Sequence, residues 1–149
     1  DFLKGNDAAL SDAEKHGLNL FITTGCTICH NGMGIGGHLY QKLGLVKEWP
    51  TEDLGRFEAT GVETDKYFFK VPSLRNITET APYLHDGSVE TLPVIVSKMA
   101  EHQLGRVLAD EDVDAIVAFL GALKGRIDED FIRKPELPAD GPDTPGSGS

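Results

Sequence analysis

The chain has 149 residues, 40% of them hydrophobic, and a net charge of −10 with a pI near 4.8. That length predicts one domain, and the excess of acid excludes nucleic acid as a partner, because no basic patch exists to displace counterions. No apolar run approaches a membrane span and no leader is visible; the start at Asp1 reads as a processed or truncated chain.

Leu10 to Thr24 reads as the first helix. Ser11 and Glu14 form the Ser-x-x-Glu capping box that satisfies the first free backbone donors. Ala13, Gly17, Leu20, Phe21 and Thr24 share one face at helical spacing. Gly17 weakens the helix but lets another helix come close.

The helix runs straight into Gly25-Cys26-Thr27-Ile28-Cys29-His30. Cys-x-x-Cys-His is the attachment pattern of a c-type haem. Two intervening residues set the thiols of Cys26 and Cys29 about one helical turn apart, as thioethers to the two vinyl groups of one porphyrin require. His30 then stands where its imidazole can be the proximal iron ligand. The motif uses both cysteines of the chain. A thioredoxin-like pair would need a βαβ context, and no strand pattern precedes Cys26. A structural zinc site would need further ligands at short spacing.

Residues 31–37, Asn-Gly-Met-Gly-Ile-Gly-Gly, form a loop that lets backbone pass close to the haem edge. It is no phosphate cradle, since no Gly-Lys-Ser/Thr follows and no strand precedes it. From Leu39 to Phe69 the periodicity is poor and irregular structure is expected, with Trp49 as a packing residue. Prolines and glycine exclude a long helix across Pro72 to Gly87. Within that block Arg75 is either a surface cation or the partner of a haem propionate.

Thr91 to His102 reads as a helix with Thr91 as N-cap, Pro93 in the first turn, and Leu92, Ile95, Val96 and Met99 on one face. Asp110 to Lys124 is the last helix, with acid at its positive end and Val113, Ile116, Val117 and Leu120 as its buried stripe. Residues 1–133 therefore form one haem domain, and residues 134–149 a disordered tail rich in Pro, Gly and Ser.

With His30 on one side of the iron, the candidates for the other are Met33, Met99, His16, His38, His85 and His102. Three residues span only about 10 Å fully extended, which is too short for Met33 to round a porphyrin. Met99 lies on an apolar helical face, where a methionine is ordinarily a core residue. His102 is its rival, three residues further along. A Met/His pair raises the reduction potential relative to a second histidine. Spacing alone leans to Met99 and leaves His102 open.

Gly-Cys-x-x-Cys-His-Asn-Gly, then Phe-Lys-Val-Pro-Ser-Leu-Arg-Asn (69–76), then Thr-Ala-Pro-Tyr-Leu-His-Asp-Gly-Ser (80–88) resembles the bacterial dihaem cytochrome c peroxidases. The resemblance continues through Thr91-Leu92 and Met99 to Gln103-Leu104-Gly105, and covers about Leu10 to Leu123 of what looks like their C-terminal, electron-transferring domain. A wider relative, which matures a tryptophan-derived quinone, differs in carrying Tyr at the position of Met99.

The resemblance implies His30 and Met99 as ligands of a high-potential haem. It implies single electrons taken from a small cytochrome or copper protein and passed to a second, peroxidatic haem in another domain. It also implies calcium held partly by backbone oxygens matching Thr80 and Pro82, and a structural or coupling role for His85. The chain departs from the family in having no second Cys-x-x-Cys-His. The expectation is thus an all-α, cytochrome c-like, periplasmic electron-input half of a cytochrome c peroxidase. A free-standing monohaem carrier is the alternative, and a haem-based sensor with a labile sixth position the third reading.

Overall fold

A computed structural model describes residues 1–136. Five α-helices order the chain: α1 (Asp12–Thr24), α2 (Phe57–Thr60), α3 (Leu92–Leu104), α4 (Asp110–Gly121) and α5 (Glu129–Ile132). Two short strands, β1 (Tyr40–Lys42) and β2 (Phe68–Lys70), pair antiparallel with Gln41 opposite Phe69. This ribbon amends the expected all-α architecture. It lies inside the stretch read as irregular, because three-residue strands carry too little alternation to be seen in sequence.

The capping box sets the start of α1. Ser11 Oγ accepts from the Glu14 N–H at 3.3 Å, and Glu14 Oε2 accepts from the Ser11 N–H at 2.7 Å. Since Ser11 is the N-cap, the helix begins at Asp12 rather than Leu10. It ends at Gly25, whose φ of 106° suits glycine and turns the chain into a short 3-10 segment, Cys26–Ile28.

The frame is α1 packed on α4. An added Cβ on Gly17 would stand 1.8 Å from the Ala115 carbonyl oxygen, so the two backbones are in near contact. Phe21 and Phe119 continue that seam with ring centroids 5.3 Å apart and planes tilted by 54°. Phe119 extends the expected stripe of Val113, Ile116 and Leu120, and Ile116 at 1% exposure is the deepest side chain of the core. Leu74, Tyr83, Val89, Leu92, Ile95 and Leu123 complete that core.

α3 runs two residues past His102, until Gly105 adopts φ 64° and its N–H bonds the Glu101 carbonyl. α4 stops at Gly121, short of Lys124. Beyond it the chain tightens, with the Leu123 N–H on the Leu120 carbonyl, and the Leu123 carbonyl accepts from the Asn76 N–H at 3.3 Å. Asn76 Oδ1 in turn takes the Gly125 N–H at 2.6 Å, which pins the block after β2 to the end of α4. Residues 134–136 are exposed and carry no regular structure; the rest of the expected tail, from 137, lies outside the described residues.

Candidate functional site

Five parts of the chain converge on a cavity of about 470 Å³, a size typical of small-molecule and cofactor sites. The Cys-x-x-Cys-His turn supplies Cys26, Cys29 and His30. The sheet and the strand exit supply Gln41, Leu43, Phe69 and Val71, and the following block supplies Leu74, Thr80, Pro82 and His85. From α3 come Leu92, Ile95, Val96, Met99, Ala100, Gln103 and Leu104, an unbroken stripe at spacings of three and four. Ile116 and Leu120 of α4 close the base.

The turn is built by backbone geometry. Cys26 O accepts from the N–H groups of Cys29 at 3.3 Å and His30 at 2.9 Å, so one tight turn aims both thiols and the imidazole into the same space. The two cysteines form no disulfide with one another, and burial is the main cause that pushes the Cys26 thiol pKa up to about 11. The His30 ring packs beside Phe21, centroids 6.4 Å apart. Burial lowers its basicity and so favours the neutral ring, with the backbone of Ile35 and Pro72 opposing that effect. A neutral ring has a lone pair to give to a metal. Its buried Nδ1 lacks a well-aligned partner, although Pro72 O lies near.

Gly36 makes this approach possible. A Cβ there would sit 2.1 Å from Pro72 O and 3.2 Å from His30 Nδ1, at a φ of 117° that only glycine adopts easily. The glycine-rich loop thus passes backbone against the imidazole. A half-buried imidazole with reduced basicity, two thiols at the right spacing and an apolar cavity fit a c-type haem: Cys26 and Cys29 would hold it covalently and His30 would reach its iron.

The structure places the candidate second ligands in different surroundings, with both Met99 and His85 on the cavity wall. Met99 lines the cavity. Met33 is 93% exposed and its carbonyl accepts from Arg75 Nε at 3.2 Å. His16 and His38 are exposed. His102 is 5% exposed but absent from the cavity wall; its Nδ1 lies 3.0 Å from the carbonyls of both Lys47 and Glu48, and its ring meets Trp49 edge-on at 4.7 Å. Trp49 packs against the core there. His85 lines the cavity but stacks on Phe69 at 4.2 Å and gives its Nε2 to Asp53 Oδ2 at 2.8 Å.

Arg75 is exposed and outside the cavity lining, while Thr80 and Pro82 are on it. Among the described residues no group of three or more His, Cys, Asp or Glu side chains is set to hold a metal ion. Sequence reasoning gave no role to Gln41 or Leu43, and saw Phe69 and Gln103 only within family motifs. These residues enter through pairings far apart in the chain, for which no local signal exists.

A helical domain that brings a Cys-x-x-Cys-His turn and a helix-borne methionine to one apolar cavity is a haem-protein domain of the c-type cytochrome class. No family model matches the chain. It is 44% identical to the cytochrome c551 peroxidase of Pseudomonas aeruginosa, over 97% of this chain and 42% of that protein. The corresponding enzyme of Nitrosomonas europaea is 45% identical, over 98% of this chain and 44% of the relative. The cytochrome c peroxidase Ccp of Escherichia coli is 43% identical, over 83% and 28%. The chain belongs to the bacterial cytochrome c peroxidase family, and spans less than half the length of these relatives.

Its fold matches the crystal structure of a MauG-like protein associated with microbial copper homeostasis, with a TM-score of 0.67 and 27% identity, over 81% of this chain and 49% of that one. Among the described residues no helix is long and apolar enough to cross a membrane.

Proposed function

We propose that this chain is the electron-input half of a bacterial cytochrome c peroxidase, acting in the periplasm through one haem attached at Cys26 and Cys29. The observation that carries the reading is the cavity shared by Cys26, Cys29, His30 and Met99, in a chain that is 43% identical to a cytochrome c peroxidase over only 28% of its length. The haem, when bound, supplies a one-electron couple. The protein's part is to fix how that couple is tuned and reached.

His30, whose burial favours the neutral ring, would give nitrogen to the iron and Met99 would give thioether sulfur, a pair that favours a raised potential. Leu92, Ile95, Val96, Ile116 and Leu120 keep water from the cavity, which favours the less charged, reduced state. Arg75, on the exposed surface beyond the cavity, is assigned to a propionate. The backbone oxygens of Thr80 and Pro82 are assigned to a calcium ion completed by a partner domain. The chain's net charge of −10 favours a small cytochrome or copper protein with a basic docking face.

Reduction of hydrogen peroxide needs an open coordination position and a proton donor beside it. If His30 and Met99 were both given to the iron, and with no carboxylate on the cavity wall among the described residues, that chemistry would fall to a second haem domain. The test is a steady-state peroxidase assay with reduced donor cytochrome, with and without a separately supplied peroxidatic domain. Turnover only with the added domain is expected. Substantial turnover by this chain alone would overturn the half-enzyme reading, and no gain on adding the domain would favour the free-standing carrier.

A further inference from the structure

After β1, residues 42–48 run along the last turn of α3 as a strap. The N–H groups of Val46 and Lys47 both reach the His102 carbonyl at 3.0 Å, and His102 Nδ1 returns to the carbonyls of Lys47 and Glu48. Lys47 pairs with Glu101 on the outer side. Gln103 differs from these neighbours because it also belongs to the cavity wall. Its Oε1 accepts from the Leu45 N–H at 2.8 Å and its Nε2 donates to the Lys42 carbonyl at 3.0 Å.

We propose that Gln103 is the positioning residue for Met99. The inference deepens the function proposed above and rests on its reading of Met99 as an iron ligand. Gln103 stands four residues after Met99, one turn on along the same face. With both ends of its amide engaged, its side chain is fixed, and the last turn of α3 cannot slide without breaking both bonds. Methionine has three rotatable bonds and little shape of its own, so its neighbours decide where its sulfur points. A loosened Gln103 turn gives Met99 room to leave the metal, and external ligands then compete more easily. The exposed Lys47–Glu101 pair fastens the same strap but touches no part of the cavity wall.

The test uses the haem-loaded protein and the variants Gln103→Leu, Gln103→Glu and Lys47→Ala. Imidazole is titrated into the ferric protein while the sulfur-to-iron charge-transfer band is followed. Exchange of the Leu45 amide is read by NMR in the ferrous state. In Gln103→Leu, imidazole affinity should rise by roughly 10- to 100-fold, the range in which partners behind a metal ligand act, with Leu45 protection lost. Lys47→Ala should leave the affinity unchanged. Gln103→Glu keeps the acceptor for Leu45 and loses the donor to Lys42; it should shift the affinity in the same direction and decides the matter if Gln103→Leu does not fold. Unchanged affinity in the folded variant overturns the proposal whatever the amide does. A parent protein without the charge-transfer band overturns the Met99 reading itself, before any variant is compared.

Discussion

Gly17 and Ala115 meet with no room for a side chain between them. A Cβ on Gly17 would lie 1.8 Å from the Ala115 carbonyl oxygen and 2.9 Å from the Phe119 Cβ. Both neighbours are rigid parts of α4, so the helices must separate to admit a methyl group. Alanine gains about 1 kcal/mol in helix propensity over glycine, but overpacking costs typically 1–3 kcal/mol, and more where backbone blocks the site. Gly17→Ala should therefore lower stability by up to roughly 2 kcal/mol, and by more if the helix backbones cannot separate. At Gly121, the last residue of α4, nothing lies within 4 Å of an added Cβ. Gly121→Ala should stabilise by about 0.5–1 kcal/mol. Denaturant midpoints of the two variants should move in opposite directions.

The capping box of α1 has a pH signature. The Ser11 N–H and hydroxyl bonds hold the Glu14 carboxyl below its usual range. A depressed carboxyl pKa means that its contribution is present above the unfolded value and lost as pH falls through the folded one. The stability gap between the parent and Glu14→Gln should be open at neutral pH and close as pH drops below the ordinary glutamate value of 4.5. Ser11→Ala should cost about 1 kcal/mol at neutral pH. Chemical denaturation at several pH values checks both.

How much was legible follows from how local each feature is. The capping box, the Cys26–His30 turn and the α3 stripe from Leu92 to Met99 are short-range patterns, and α1, α3 and α4 stand within a few residues of where the sequence places them, while the four-residue helices α2 and α5 are too short to show a periodicity. The β1–β2 ribbon, the His85–Asp53 pair and the Gln103 clamp join residues 26 or more positions apart, where periodicity carries no information. Tyr67, Asn76 and Leu84 take positive φ without being glycine. Only the tertiary contacts around them hold such conformations, as Asn76 shows by binding both Leu123 and Gly125. The end of α4 was overextended for the same reason: Leu123 turns out of the helix to meet Asn76.

Calcium should bind weakly to this chain alone. The ion wants six to eight oxygens, and the block around Thr80 and Pro82 offers few of them, the remainder being assigned to another domain. Titration calorimetry should find no tight site. A tight one would show that the oxygens are complete within this chain.

Electron exchange with a basic donor cytochrome should slow as ionic strength rises, because the net charge of −10 steers the encounter. Stopped-flow rates across a salt series measure this. A rate independent of salt would place the docking face on an uncharged part of the surface.

The most direct test of the account is the ferric spectrum of the haem-loaded protein and its Met99→Ala variant. The parent should show the sulfur-to-iron charge-transfer band, and the variant should lose it while acid-acetone extraction leaves the colour on the protein in both. A band that survives in Met99→Ala, or colour that moves into the solvent, would contradict the assignment of Met99 or of the covalent haem at Cys26 and Cys29.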